Sequence, residues 1–277
     1  MKTDVGMLYV CATPIGNMGD ITLRVLETLK SVDLIAAEDT RHSRALLTHF
    51  DIHTPLTSYH EHNKYEKAEE LLDVLRNGKN IALISDAGTP VISDPGEVLV
   101  RRCREEGLPV TSLPGACALI TGLSMSGMDA RRFAFEGFLP TDKKEREEAL
   151  TRLAGESRTS IIYEAPHHLK KTLALLLAAI GDRKITLCRE LTKIHEEALD
   201  MTISEAIAYY EIQEPRGEYV IIIEGAAPVG KTAGWEEMSL EDHLQYYLNQ
   251  GIDKKEAMKL MARDRGTSKR DIYQGLL

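Results

Sequence analysis

The sequence predicts an α/β fold made of two sheet domains followed by a small helical module. In the first hundred residues, short β-branched runs alternate with longer helical patterns, which is the order of a parallel sheet covered by helices. The length of 277 residues corresponds to about two ordinary domains. A stretch rich in Gly, Ser and Ala over 114–131 separates this first unit from a second one that begins with a strand-like run.

The first unit is predicted to alternate strands with helices. The predicted strands cover 7–12, 33–37, 81–85 and 109–113, and the predicted helices cover 21–30, 44–50, 66–77 and 97–106. The helix over 66–77 shows the reasoning, because apolar residues recur with helical spacing at Ala68, Leu71, Leu72 and Leu75. Gly78 follows at the position where a glycine commonly ends a helix.

The second unit is predicted to be a smaller sheet domain, and the chain is predicted to end in three short helices. The predicted strands are 132–137, 160–163, 185–188 and 219–224, with a helix over 169–180. The terminal helices are predicted at 239–250, 253–264 and 268–276, where Ser239 and Asp253 offer oxygens that cap a first turn. We therefore predict domains over 1–118 and 119–230 and a helical module over 238–277.

Composition and charge narrow the class of protein. With 43% hydrophobic and 28% charged residues, the chain has the composition of a folded, water-soluble protein. Its longest apolar run, 173–180, is much shorter than a membrane span, and its first residues lack a signal-peptide core, so we expect a cytoplasmic protein with no membrane partner. The four cysteines form no CxxC pair and are predicted to be buried thiols. A net charge of −9 argues against a large uniform positive field for nucleic acid but permits a local basic patch.

Two sets of residues match, in part, the patterns of common functional sites: a phosphate loop and a metal site. Residues 225–232 satisfy the GxxxxGK[ST] phosphate-loop pattern, but no helical periodicity follows them, so we interpret the segment as an interdomain linker. The histidines include His60 and His62 on one strand-like face, the pair His167 and His168, and His195. None has zinc-ligand spacing, so we interpret them as surface or substrate-facing residues and predict no metal site.

Residues able to carry chemistry concentrate in three loops that follow predicted strands, over 12–17, 38–41 and 85–96. Ligands of open α/β sheets bind outside the carboxyl ends of the strands, so these loops form the candidate site. The second loop brings together Glu38, Asp39 and Arg41, which either perform chemistry or cap the next helix. The third holds two Asp, two Pro and two Gly in twelve residues, which is more than a simple turn requires.

These loops belong to a longer series of motifs. Seven segments resemble, in order, the successive motifs of the bacterial ribosomal RNA small subunit methyltransferase I family: ATPIGN (12–17), EDTR (38–41), SDAGTPVISDPG (85–96), PGACAL (114–119), EGFLP (136–140), YEAPHH (163–168) and RELTKIHEE (189–197). That family belongs to the tetrapyrrole methylase superfamily. The resemblance runs from about residue 8 to residue 226, and the tail after Met238 is similar to the family's C-terminal extension.

The resemblance implies a methyltransferase that uses S-adenosylmethionine and acts on the ribose 2′-hydroxyl of a cytidine in the decoding region of 16S ribosomal RNA, either naked or in the small ribosomal subunit. It also implies a cofactor cleft between two α/β domains of the tetrapyrrole methylase type, and a homodimer. Cofactor contacts are implied at Pro14, Ile15, Asp86, Gly88, Thr89, Cys117, Ala118, Tyr163, Glu164 and Leu191.

Methyl transfer to a hydroxyl gives the second loop candidate catalytic roles. The hydroxyl must lose a proton during the attack, and a carboxylate can accept it as a general base. Glu38 and Asp39 are the candidates for this role, and Arg41 is the candidate for holding an RNA phosphate. The alternative, that the two carboxylates only cap the following helix, stays open at this point.

The tail is locally basic. Between positions 254 and 271 it holds seven basic and three acidic residues, a local charge of +4. We predict that it docks RNA through phosphate contacts, while a solvated helical face or a dimerisation element remains the alternative. For the whole chain, the competing hypotheses are a tetrapyrrole (precorrin-type) small-molecule methyltransferase and a nucleotide-dependent switch built on residues 225–232.

Overall fold

The first part of the chain forms a five-stranded parallel sheet. In the computed structural model, which describes residues 5–227, 235, 238–249 and 251–276, strands β1–β5 are Leu8–Cys11, Leu34–Ala37, Leu56–Ser58, Ile81–Ile84 and Val110–Leu113. Their order across the sheet is β3-β2-β4-β1-β5, and each neighbouring pair is parallel. Helices α1–α4, which connect successive strands, are Leu23–Ser31, Thr40–His49, Lys64–Arg76 and Gly96–Glu105.

Alternating side chains of this sheet enter two apolar layers, as expected for strands buried on both faces. Ala36 and Leu83 face the layer formed with α3 and α4, whereas Ile35 and Ile84 face the layer formed with α1 and α2. Because the strands are parallel, their carboxyl ends share one edge of the sheet. The loops after β1, β2 and β4 therefore lie side by side.

The second part of the chain forms another five-stranded sheet, of mixed direction. Strands β6–β10 are Phe133–Phe138, Thr159–Glu164, Lys184–Arg189, Glu197–Thr202 and Tyr219–Ile223. Their order is β6-β7-β10-β8-β9, in which β6 and β7 are parallel and the other neighbours antiparallel. Helices α5–α8 are Ala118–Ser126, Lys143–Gly155, Pro166–Ile180 and Ile203–Ile212. Helix α5 covers one face of the sheet, and α6, α7 and α8 cover the other.

The C-terminal module has its own small core. Its helices α9–α11 are Leu240–Asn249, Lys254–Asp264 and Lys269–Gly275, and Met258, Met261, Ala262 and Ile272 pack together between them. The buried His243 ring stacks on Trp235 at a centroid distance of 3.8 Å and accepts a hydrogen bond at Nδ1 from Arg265 Nε (3.0 Å).

The predicted α/β class, with two sheets and terminal helices, is confirmed, and several details differ. Each sheet has one strand more than was predicted, β3 in the first and β9 in the second, so both have five strands and the second sheet is not smaller than the first. Helix α2 starts at Thr40 rather than residue 44, because the Asp39 side chain caps its first turn. His60 and His62 lie in the turn after β3 and not on a strand face. Three of the four thiols are buried as predicted, but Cys117 is half-exposed.

Two further predictions fall partly outside this description. Of the segment 225–232, only Gly225–Ala227 is described, where the Ala226 N–H donates to the Glu156 carbonyl (2.6 Å). Positions 228–232, which complete the predicted linker, lie outside the described residues. The division into domains at 118 and 119 stays a prediction. None of the helices in the described ranges is long and apolar enough to cross a membrane.

Candidate active site

A cavity of about 320 Å³ lies between the two sheets, at the carboxyl ends of β1, β2 and β4 and beside the ends of β7 and β8. All but one of the residues predicted to contact a cofactor line it: Ile15, Asp86, Gly88, Thr89, Cys117, Ala118, Tyr163, Glu164 and Leu191. Pro14 is not among the lining residues. The three loops predicted to carry chemistry thus meet at one site. Glu38 is the residue of the second loop, over 38–41, that lines the cavity.

The first loop and the third loop are hydrogen-bonded to each other at the floor of the cavity. The Thr13 N–H donates to the Gly88 carbonyl (2.8 Å), and the Gly88 N–H donates to the Thr13 carbonyl (3.1 Å). Gly88 has φ +81°, and a Cβ added there would lie 3.2 Å from Ile15 Cγ2. Glycine is needed here both for the backbone angle and for the close approach of the two loops.

The third loop is strained and is held in place by one carboxylate. Val91 has φ 79° and Ser93 has φ 69°, which are uncommon for non-glycine residues and strained for the β-branched Val91. Both carboxylate oxygens of Asp94 accept from the Val91 N–H (2.9 and 2.8 Å), and one also accepts from the Gly96 N–H (2.8 Å). Burial raises the pKa of Asp94, while these two N–H groups oppose the rise. Asp94 therefore fixes the shape of the loop.

The wall from the second sheet combines aromatic rings with carboxylates. The Tyr163 ring contacts Phe135 and Phe138 edge-on, at centroid distances of 4.9 and 5.6 Å. The Tyr163 hydroxyl accepts from the Leu119 N–H (3.0 Å), which fixes the ring against the start of α5. Glu164 is buried beside it and accepts from the Ala165 N–H (2.8 Å) and from the Thr172 hydroxyl. These contacts hold Tyr163 and Glu164 in a defined position at the end of β7.

The loop over 189–197 forms part of the cavity wall on the side of the second sheet, and its backbone is also strained. Glu190 has φ 52° and Thr192 has φ 66°. The Lys193 ammonium pairs with the Glu190 carboxylate (3.0 Å), and both residues line the cavity. The Thr192 N–H donates to the Glu196 carboxylate (2.6 Å), which holds the turn. Strained loops of both sheets therefore face each other across the cavity, a distribution common at functional sites.

The cavity is strongly acidic. Six acidic residues line it: Glu38, Asp86, Asp94, Glu164, Glu190 and Glu218. Lys193 is the one cationic residue among the lining residues. The pKa of Glu38 is raised, first by burial and then by the neighbouring carboxylates of Asp86 and Asp94. Such a cavity favours a cationic ligand, and its Glu38 carboxylate is a stronger base than an exposed glutamate.

Asp39 and Arg41 lie beside the cavity and not on its wall. The Asp39 carboxylate accepts from the Arg41 N–H at the start of α2 (2.8 Å) and pairs with the Arg41 guanidinium (3.0 Å). The Arg41 side chain and the first-turn N–H groups hold the pKa of Asp39 at about 2. The Arg41 side chain is 90% exposed. The sequence left open whether Glu38 and Asp39 perform chemistry or cap the next helix. In the structure, Asp39 caps α2, whereas Glu38 faces the cavity.

Two larger grooves lie elsewhere. One, of about 960 Å³, opens at the opposite end of the second sheet, near Thr159, Lys184 and Glu224, and contains none of the predicted site residues. The other, of about 660 Å³, adjoins the cavity and shares Glu190 and Tyr219 with it. His195 lies in this second groove. Within the described ranges, no group of three or more His, Cys, Asp or Glu residues is placed to hold a metal ion.

Several cavity residues were not predicted from the sequence. Asp94, Phe138, Glu190 and Lys193 lie inside motifs that were recognised, but no pattern distinguished them from their neighbours. Glu218, Tyr219 and Val220 had no motif at all, because they enter the site only through the antiparallel direction of β10. A sequence signal for them would have required the strand order.

Comparison with known proteins agrees with the motifs. The sequence model of the tetrapyrrole (corrin/porphyrin) methylases matches residues 7–207, so the chain belongs to that family. The ribosomal RNA small subunit methyltransferase I of Synechocystis sp. is 48% identical over 271 residues, which cover 98% of this chain and 97% of the relative. The protein of the same name from Bacillus subtilis is 45% identical over 275 residues, covering 98% and 94%.

Within the methylases, the chain is therefore a methyltransferase of the ribosomal RNA small subunit methyltransferase I family. A crystal structure of diphthine synthase superposes with a TM-score of 0.61 at 12% identity, covering 79% of this chain and 89% of that one. At so low an identity the superposition supports the fold alone, namely two sheets with a cleft between them.

Proposed function

We propose that the chain transfers the methyl group of S-adenosylmethionine to the ribose 2′-hydroxyl of a cytidine in the decoding region of 16S ribosomal RNA, with the small ribosomal subunit as its substrate. The observation that carries the proposal is the acidic cavity between the two sheets, with Glu38 on its wall and a raised pKa at that carboxyl. The shared name of the relatives supports ribosomal RNA as the substrate. The resemblance of the motifs supports the cytidine ribose.

The cavity residues fit this methyl donor. When bound, S-adenosylmethionine supplies a methyl group on a positively charged sulfur, and the carboxylates around the cavity favour a cation over a neutral ligand. A volume of about 320 Å³ lies within the range of small-molecule sites. The residues that would hold the donor are Ile15, Asp86, Gly88, Thr89, Cys117, Ala118, Tyr163, Glu164 and Leu191, with Pro14 stiffening the first loop.

Glu38 is the general base of this proposal. It faces the cavity, and its raised pKa makes its ionised form a stronger proton acceptor for a hydroxyl. Asp39 is a weaker base, because its pKa is held at about 2 and its oxygens are already used by Arg41 and the helix. The exposed Arg41 guanidinium keeps donors beyond those given to Asp39, which suit an RNA phosphate.

Further parts of the chain take supporting roles. The domains over 1–118 and 119–230 each supply one wall of the cavity, and the module over 238–277 adds phosphate contacts through its local positive charge. Holding donor and hydroxyl together while excluding water supplies most of the catalysis expected for such an in-line displacement. The protein acts as a homodimer in the cytoplasm.

The test is transfer of labelled methyl from S-adenosylmethionine to purified small ribosomal subunits and to their stripped 16S RNA. Nuclease digestion and mass spectrometry then identify the modified nucleotide. Label in 2′-O-methylcytidine is the expected result. Label in another nucleotide or on a base nitrogen would overturn the proposed target while leaving an RNA methyltransferase.

The same experiment separates the competing small-molecule reaction. If the protein binds S-adenosylmethionine but transfers no label to RNA, while it labels a free tetrapyrrole, the substrate is the macrocycle. A nucleotide-dependent switch built on residues 225–232 would instead show ATP binding that is lost on Lys231→Ala.

A further inference from the structure

The groove of about 660 Å³ beside the active-site cavity is formed by the end of α8, the loop over 189–197 and the segment before β10. We refer to it as the side groove. Glu190 and Tyr219 line both the side groove and the cavity, so the two spaces adjoin at these residues. Gly217 lies at this junction, where a Cβ would come within 2.2 Å of Glu190 Oε1. A chain whose reacting nucleotide lies at the cavity therefore has the side groove directly next to it.

A series of tyrosines lines the side groove. Tyr209 and Tyr210 contact edge-on at a centroid distance of 4.9 Å, and Tyr210 contacts Tyr219 edge-on at 5.9 Å. Tyr210 and Tyr219 are buried, whereas Tyr209 is 38% exposed. The buried Tyr210 ring therefore fixes the position of the Tyr209 ring, which is exposed to the side groove. Rings of this kind are the surfaces on which single-stranded RNA bases stack.

The charges of the side groove leave one cation without an internal partner. The carboxylates of Glu190 and Glu214 pair with Lys193 and Lys170, and Arg189 pairs with Glu197. The Arg216 guanidinium makes no ion pair or hydrogen bond with the part of the chain that the structure describes. It is exposed and lies in sequence directly before Gly217, at the junction with the cavity. A guanidinium and an open tyrosine ring that line the same groove are suited to a nucleotide, with its phosphate on one and its base on the other.

We infer that the side groove binds a nucleotide adjacent to the methylated one, with its base on Tyr209 and its phosphate on Arg216. This inference rests on the proposed function, because it takes an RNA strand to be the substrate of the cavity. Most single-strand RNA recognition uses this combination of aromatic stacking and positive charge. The side groove then aligns the strand so that one ribose reaches Glu38.

The test compares alanine variants with conservative or distant controls. Arg216→Ala removes the phosphate contact, and Tyr209→Ala removes the stacking surface. Tyr209→Phe keeps the ring, and Arg104→Ala removes an exposed guanidinium from α4, which packs on the other sheet. For each variant, kcat and KM are measured with small ribosomal subunits at several salt concentrations, and the affinity for S-adenosylmethionine is measured separately by calorimetry.

We expect both alanine variants to raise the KM for subunits about tenfold. Arg216→Ala should also reduce the slope of log KM against log salt by about one, since one phosphate contact is lost. Tyr209→Phe and Arg104→Ala should match the unmodified protein, and all variants should bind S-adenosylmethionine normally.

Unchanged KM and salt slope in both alanine variants would overturn the side-groove proposal, provided that the unmodified protein labels RNA. Equal effects of Tyr209→Phe and Tyr209→Ala would overturn the stacking role. Absence of label on RNA with the unmodified protein would instead refute the proposed function itself, so the two failures are distinguishable.

Discussion

The methylene chain of Lys193 lies directly over Gly16. A Cβ added at Gly16 would come within 2.5 Å of Lys193 Cγ and within 2.9 Å of Lys193 Cε. Gly16 belongs to the loop after β1, and Lys193 belongs to the loop after β8, so this contact joins the two sheets at the mouth of the cavity. Because Lys193 also pairs with Glu190, the contact and the ion pair together set the position of the loop over the cavity.

This contact predicts the effect of Gly16→Ala. Gly16 does not have a positive φ, so alanine fits its backbone and the main cost is displacement of Lys193. We expect the affinity for S-adenosylmethionine to fall about tenfold, equal to ~1.4 kcal/mol, while the melting temperature hardly changes. Gly155→Ala at the end of α6 is the matched control, because a Cβ there meets nothing within 4 Å. Equal affinities of the two variants, measured by calorimetry, would contradict the role given to the Lys193 contact.

Replacement of the proposed base provides a second prediction. Glu38→Gln removes the proton acceptor and should lower kcat by about 10²- to 10⁴-fold with little change in cofactor affinity. Asp39→Asn is the control, since Asp39 faces its helix and Arg41, and it should retain most of the turnover. If the Glu38→Gln protein transferred methyl at the unmodified rate in single-turnover assays, Glu38 would be excluded from the mechanism.

The pH dependence follows from the same carboxyl. The folded-state pKa of Glu38 is raised by burial and by Asp86 and Asp94, and the base works only when ionised. We therefore expect kcat to fall with decreasing pH at a value above ~4.3, the ordinary pKa of glutamate. Stability has the opposite pH dependence: the folded state binds the Glu38 proton more tightly than the unfolded state, so the free energy of unfolding decreases as the pH rises from the ordinary pKa of glutamate through the raised folded-state pKa. Glu38→Gln should consequently melt at a higher temperature than the unmodified protein at neutral pH, and an unchanged or lower melting temperature would refute this.

Alanine variants at Gly88 and Gly107 separate the effect of backbone strain from the effect of side-chain crowding at the cavity. Both have positive φ, +81° and +70°, but a Cβ at Gly88 would crowd Ile15 whereas a Cβ at Gly107 meets nothing within 4 Å. We expect each alanine variant to lose about 1 to 2 kcal/mol of stability for the backbone angle alone. Only Gly88→Ala should also weaken cofactor binding. Similar affinities in both variants, measured by calorimetry beside thermal melts, would remove Gly88 from the cofactor site.

The C-terminal module gives a fifth prediction. Its helices pack around their own core, and the basic residues of 254–271 include the exposed Lys254, Lys255 and Arg270. We expect deletion of 238–277 to weaken RNA binding and flatten its salt dependence, with S-adenosylmethionine affinity retained. Lys254→Ala combined with Lys255→Ala should produce part of the same loss while the module stays folded. A deleted protein with normal RNA affinity and salt slope would favour the solvated-face or dimerisation alternatives.

Much of the first sheet could be predicted from the sequence, because β1, β2 and β4 are short apolar runs and each is followed by a helix, whereas the three-residue strand β3 has no such run and was missed. The three loops at its carboxyl edge could be located for the same reason. Tyr163 and Leu191 were found only through their resemblance to family motifs. Their own sequence surroundings do not show that β7 and β8 end at the same cavity.

The remaining features depend on tertiary contacts. Strand β9 has alternating partly buried and exposed residues, and its partner becomes evident only from its pairing with β8. Helix α2 begins earlier than predicted because one side chain, Asp39, satisfies its first N–H groups. Lys193 and Glu218 reach the site through loop closure and strand direction, neither of which a local pattern records.

The position of β10 has a consequence for the order in which the protein matures on the ribosome. This strand comes last in the second sheet along the chain, yet it lies between β7 and β8. The strands of the first sheet are complete once residue 113 has emerged, whereas β7 and β8 keep unpaired edges until residue 223 follows. The wall of the cavity that the first sheet supplies can therefore form well before the wall that the second sheet supplies, and the cavity is complete only once β10 has paired with β7 and β8.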